Sequence, residues 1–247
     1  MDVGGEYGGS PVAVRISYTI TRPQVLPDSS HSHMRANVFV TGGTGYIGRR
    51  LLPMLITRGH RVRALVRPGS ELNVPMGATP IIGDVFDRST FEWAIDSDSV
   101  VVHLVGTPRP SPMKAAQFEG IDFASACECH AAAQSANARH FVYVSVAHPA
   151  PVMRAYIDVR RRVEGILGAG TVSHTILRPW YVLGPGHQWP RVLAPLYWIG
   201  ERVPSMRAGV RRLGLVTLDQ MVAALTYAVE TASDHSRLLD VADIRRA

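Results

Sequence analysis

The sequence predicts an α/β domain built on a doubly wound parallel sheet, and three observations predict it. From Arg35 onward, short runs of Val, Ile, Leu and Phe alternate with longer stretches of helical periodicity. Those runs are mostly apolar instead of strictly alternating with polar residues, as strands covered on both faces require. A glycine-rich turn separates the first run from the first helical stretch, and glycines there let a strand feed directly into a helix.

Taken in order, residues 1–33 mix Gly, Pro, Ser and His with little periodicity and read as a disordered tail, with a stray strand at Val12 to Ile20 as its only patterned piece. Met34 marks the expected beginning of the folded unit, and 34–247 is expected to be one domain. Strands are predicted near 36–41, 61–66, 79–83, 99–105, 140–145 and 173–178, with a short closing strand over Leu238 to Val241. Helices are predicted near 46–58, 88–95, 113–136, 152–168 and 217–231, the last capped by Thr217. Pro53 falls inside the first helix and is expected to bend it. The apolar, aromatic stretch at about 187–214 reads as a small substrate-side lid, or equally as core.

The turn runs Thr41, Gly42, Gly43, Thr44, Gly45, Tyr46, Ile47, Gly48. Gly42 suits a tight turn, Gly45 a close approach of backbone to a pyrophosphate, and Gly48 the packing of helix on strand. The helix amino terminus, with Thr44, Tyr46 and Ile47 around it, would offer N–H groups and a partial positive charge to phosphates. This is the pattern of a dinucleotide-binding Rossmann fold with a small C-terminal substrate-side segment.

The spacing and wording of the turn resemble the short-chain dehydrogenase/reductase superfamily, in its extended and atypical branches. The likeness is greatest to NmrA-like and complex I accessory-subunit-like proteins. It extends from residue 35 to about 242. The resemblance implies a nicotinamide cofactor, with Asp84 as an adenine contact and Val105, Gly106 and Pro179 lining the dinucleotide. Arg67 closes the second strand where an NAD enzyme would usually carry a carboxylate; an arginine suits a 2′-phosphate, so NADP(H) is favoured over NAD(H).

The resemblance also implies a catalytic serine, tyrosine and lysine. Ser145 ends the fifth strand, and Tyr156 and Arg160 follow one helical turn apart, so the motif reads Tyr-x-x-x-Arg. Arginine keeps its proton throughout the working range and presents a broad fork, yet a cation near a phenol still favours the phenolate. Ser145, Tyr156 and Arg160 are therefore the expected catalytic set of an oxidoreductase or epimerase-like enzyme acting on a carbonyl or hydroxyl compound. The alternative is a non-catalytic NADP(H)-binding redox sensor or assembly subunit. His103 reads as packed in its strand.

Composition narrows the rest. The chain has 247 residues, 46% hydrophobic, with formal net charge +6. The basic residues are dispersed and no nucleic-acid-reading motif accompanies them, so no nucleic-acid partner is expected. No apolar run is long enough for a membrane span. The only cysteines, Cys127 and Cys129, are two apart and would lie on different helix faces, so neither a disulfide nor a metal site with His130 is expected. A small-molecule substrate, a homodimer and a cytoplasmic, reducing setting complete the expectations.

Overall fold

The computed structural model describes residues 35–150, 152–185 and 213–247; the expected tail, the stray strand and all but the last two lid residues lie outside them. In chain order the elements are β1 (Asn37–Thr41), α1 (Gly48–Thr57), β2 (Arg61–Val66), β3 (Ala78–Ile82), β4 (Ser99–His103), α2 (Ala115–Gln117), α3 (Ala124–Ser135), β5 (His140–Val144), α4 (Arg154–Ala169) and β6 (His174–Leu177). There follow β7 (Tyr181–Leu183), β8 (Leu215–Thr217), α5 (Leu218–Glu230), β9 (Arg237–Leu239) and α6 (Val241–Arg246).

Seven strands form one sheet in the order β3-β2-β1-β4-β5-β6-β9, every pair parallel. Helices cover both faces, which explains the continuous apolar runs of the central strands, whereas the edge strand β3 is largely exposed. Along β1, Val38 and Val40 pack on one side with Leu51, Leu55 and Leu225, while Phe39 packs on the other with Phe91, Phe141 and Tyr143. The order reverses at β1 and β4, and in such sheets the ligand crevice opens at the carboxyl ends beside that switch. A separate parallel pair, β7 with β8, stands beyond the main sheet.

Several boundaries differ from the periodicity. The helix expected over 88–95 is two 3-10 turns, Arg88–Thr90 and Glu92–Ala94. Asp87 accepts from the Ser89 amide and Thr90 bonds back to the Asp87 carbonyl, so local side-chain bonds displace the helical ladder. The long helix expected over 113–136 is composite: a 3-10 turn at Pro112–Lys114, α2, a π-helical segment at Phe118–Phe123, then α3. The closing strand ends at Leu239 because Asp240 caps α6, accepting from the amides of Ala242 and Asp243. Helix α1 runs on through Pro53. Thr217 caps α5 in a reciprocal capping box with Gln220, as its position in the sequence suggests.

Candidate cofactor and active site

The glycine turn connects β1 to α1 at the switch point. Gly42 adopts φ +72°, and a Cβ there would stand 2.8 Å from the Leu104 carbonyl carbon and 2.9 Å from the Val105 nitrogen, so the turn leans on the end of β4. Gly48 has a different reason from the one its spacing suggests. Its Cβ would collide with the carbonyl oxygens of Gly42 and Gly43, so it closes the turn on itself, while the close helix–strand contact falls at Gly43, beside Leu52 and Ala64.

The start of α1 suits a diphosphate. It has no side-chain cap and no acid in its first turn, and Arg49 and Arg50 are exposed there. Among the described residues, no backbone carbonyl accepts from the amides of Ile47 or Gly48. Gly45 is exposed, and a Cβ on it would meet only the Gly42 carbonyl, at 3.1 Å. A cleft of about 440 Å³ lies beside Thr44, Gly45, Tyr46, Arg49 and Arg50. The residues present therefore fit a dinucleotide, with the turn's amides as its phosphate donors.

Arg67 is exposed immediately beyond β2. Asp84 is exposed beyond β3, where one carboxylate oxygen accepts from the Phe86 amide at 3.0 Å. Both stand at the carboxyl edge on the β1–β3 side. Val105 and Gly106 follow β4, and buried Pro179 follows β6, its carbonyl accepting from the Ala147 amide at 2.9 Å.

Ser145, Tyr156 and Arg160 gather around the end of β5. Arg160 is buried and donates through Nη1 to the Val144 carbonyl at 2.7 Å and to the Tyr143 hydroxyl at 3.2 Å. Its guanidinium lies 5.0 Å from the Tyr156 ring centroid, and Phe118 packs against the same ring. Through Nη2 it pairs with Asp122, which is fully buried on the π-helical segment. Burial pushes the Tyr156 phenol up; Arg160 pulls it down and Asp122 opposes that pull.

Ser145 is buried and donates to Glu164 at 2.6 Å. Arg178 grips the same carboxylate through Nε, at 2.9 Å, and Nη2, and His148 approaches it at 3.3 Å. Burial alone would raise Glu164, yet the bonds from His148, Arg178 and Ser145 hold it at about 2. Asp122, Thr107 and Glu164 are site residues that sequence reading missed. The available signals were an acid set between the apolar residues Ile121 and Phe123 and an acid one turn beyond Arg160.

His103 is packed in β4 as expected. Its Nδ1 lies 2.9 Å from the Thr41 hydroxyl, Nε2 lies 3.4 Å from Ser125, and burial lowers the imidazole to about 3, leaving it neutral. Cys127 and Cys129 are free thiols on α3. No helix of the described residues is long and apolar enough to cross a membrane.

Comparison with known proteins bears on the family and the fold. The profile of the NAD(P)H-binding family matches residues 42–190. The photosystem II assembly factor Ycf39 of Trieres chinensis is 28% identical over 145 residues, covering 58% of this chain and 44% of the relative. The ceramide reductase of Caulobacter vibrioides is 26% identical over 216 residues, covering 86% of this chain and 66% of the relative. The chain thus spans less than two thirds of either protein. Among solved structures, the Bordetella bronchiseptica enzyme WbmH in complex with NAD+ superposes with a TM-score of 0.62 at 19% identity, over 82% of this chain and 75% of that one, a likeness of fold. With its glycine turn, its parallel sheet and the family match over more than half its length, the chain belongs to the NAD(P)H-binding family, within the extended, NmrA-like part of the short-chain dehydrogenase/reductase superfamily.

Proposed function

We propose that the chain is an NADP(H)-dependent oxidoreductase that reduces a partly apolar carbonyl compound, with Tyr156 as the proton donor. The observation that carries this reading is the meeting of Arg160 and Tyr156 at the end of β5: Arg160 bonds the carbonyl of Val144, next to Ser145, and lies over the ring of Tyr156. When bound, the nicotinamide supplies the hydride. A phenol raised by burial and only partly relieved by Arg160 keeps its proton at neutral pH, so Tyr156 gives a proton to a developing alkoxide more readily than it takes one. That favours reduction. Ser145 has its own proton committed to Glu164, so it meets a substrate hydroxyl or the Tyr156 phenol as an acceptor. Exposed Arg67 supports NADP(H), since a guanidinium fork suits a 2′-phosphate. The likeness to a ceramide reductase supports a partly apolar substrate.

A second reading is a non-catalytic NADP(H)-binding protein. It is favoured by the inward commitment of both the Ser145 proton and the Arg160 charge, and by the likeness to an assembly factor. A panel of aldehydes, ketones and quinones screened with NADPH, beside Tyr156→Phe, separates the two. Turnover lost in Tyr156→Phe supports the enzyme; tight NADPH binding with no turnover by the wild type supports the second reading.

A further inference from the structure

The Asp122–Arg160 pair does more than join two helices. Asp122 uses both oxygens: Oδ1 takes Arg160, and Oδ2 accepts from the Thr107 amide at 2.9 Å and the Thr107 hydroxyl at 2.6 Å. Arg160 in turn holds the Val144 carbonyl, the last residue of β5. One buried pair therefore ties the loop after β4 to the end of β5. Gly106 lies directly against it, since a Cβ there would stand 2.6 Å from Arg160 Nη2 and 3.0 Å from Asp122 Oδ1. No side chain fits between that loop and the pair.

The two halves of such a sheet receive the two halves of a dinucleotide. Arg67 and Asp84 stand beyond β2 and β3 on one side; Gly106, Ser145 and Pro179 stand beyond β4, β5 and β6 on the other. We propose that Asp122 and Arg160 are positioning residues for the nicotinamide half alone, a clamp that fixes the Gly106–Thr107 loop beneath it. In this chain the cation of Tyr-x-x-x-Arg is thereby used within the protein and not on the nicotinamide ribose. The inference rests on the cofactor reading and not on turnover, so it holds for an enzyme and for a binding protein alike.

Calorimetric titration with two probes tests it: NADPH, and 2′,5′-ADP, which carries only the adenosine half. Asp122→Asn should weaken NADPH about tenfold while 2′,5′-ADP stays within about twofold, because the lost pair supports only one half of the site. Removing one partner of a buried pair is strongly destabilising, so Gly106→Ala provides a second variant in which both charges remain and the loop is displaced. It should show the same selective loss. Equal weakening of both probes, or no change in their ratio in Gly106→Ala, overturns the clamp. A wild-type protein that binds neither probe would remove the cofactor reading itself, and the clamp with it.

Discussion

Replacing Glu164 by Gln isolates the carboxylate that gathers Ser145, His148 and Arg178. The substitution keeps the shape and removes the charge. Glu164 is held at about 2, against an ordinary 4.5, a gap worth about 3 kcal/mol at roughly 1.4 kcal/mol per unit. The side chain is only 5% exposed and its partner Arg178 only 18%, so solvent screens the pair weakly. Because the folded value is depressed, the stabilisation is complete above pH 4.5 and is lost as pH falls toward 2. Glu164→Gln should therefore lower the melting temperature at pH 7 by about 6–12 °C for a chain of this size. The variant has nothing to titrate at this position, so its deficit should shrink by about 1 kcal/mol between pH 7 and pH 4. Denaturant unfolding of both proteins at several pH values reads this directly, since losses at other groups are shared and cancel. A melting shift under about 2 °C, or a deficit that stays constant down to pH 4, refutes the account.

Other outcomes follow from the same geometry. Arg67→Asp should weaken NADPH by tenfold or more, on the order of a lost charged contact, and leave NADH much less affected; equal losses in titration would remove Arg67 from the 2′-phosphate. Burial lowers His103 to about 3 and both His130 and His140 to about 4, so stability present above pH 6.5 should be lost as pH falls below it, by up to about 1.4 kcal/mol per pH unit for each histidine. A stability profile flat from pH 7 to pH 5 would contradict those shifts. Gly48→Ala drives a Cβ to 2.4 Å from the Gly43 carbonyl oxygen, so it should destabilise the fold by about 1–3 kcal/mol and weaken NADPH together, by calorimetry and thermal melting. Wild-type behaviour in both would mean that the turn relaxes freely.

The elements that were legible in the sequence are those whose cause is local. Strands β1, β2, β4, β5 and β6 follow from apolar runs, the turn from its glycines, and the start of α5 from Thr217 and Gln220 three residues apart. What escaped depends on partners distant in the chain. The π-helical segment leaves no mark in periodicity, because it brings Asp122 to Thr107 and to Arg160, 38 residues away. Ser145 was legible as a strand-end serine, but its commitment to Glu164 rests on Arg178, which directly follows the next strand.

Arg160 shows why the two kinds of information must be combined. Read alone, it is a substitution of one cation for another in Tyr-x-x-x-Lys. A guanidinium, however, carries five N–H donors in a fixed fork, and burying it requires acceptors on more than one side. Here the Val144 carbonyl, the Tyr143 hydroxyl and Asp122 supply them, and the charge of Asp122 opposes the pull of Arg160 on a Tyr156 phenol that burial already raises. The arginine and the aspartate therefore make sense only as a pair. An ammonium carries its three donors on one nitrogen, whereas the guanidinium reaches Val144 and Tyr143 through Nη1 and Asp122 through Nη2. The departure from the family's lysine is thus a change of the whole buried cluster, with consequences for the loop that Thr107 anchors and for the proton that Tyr156 retains.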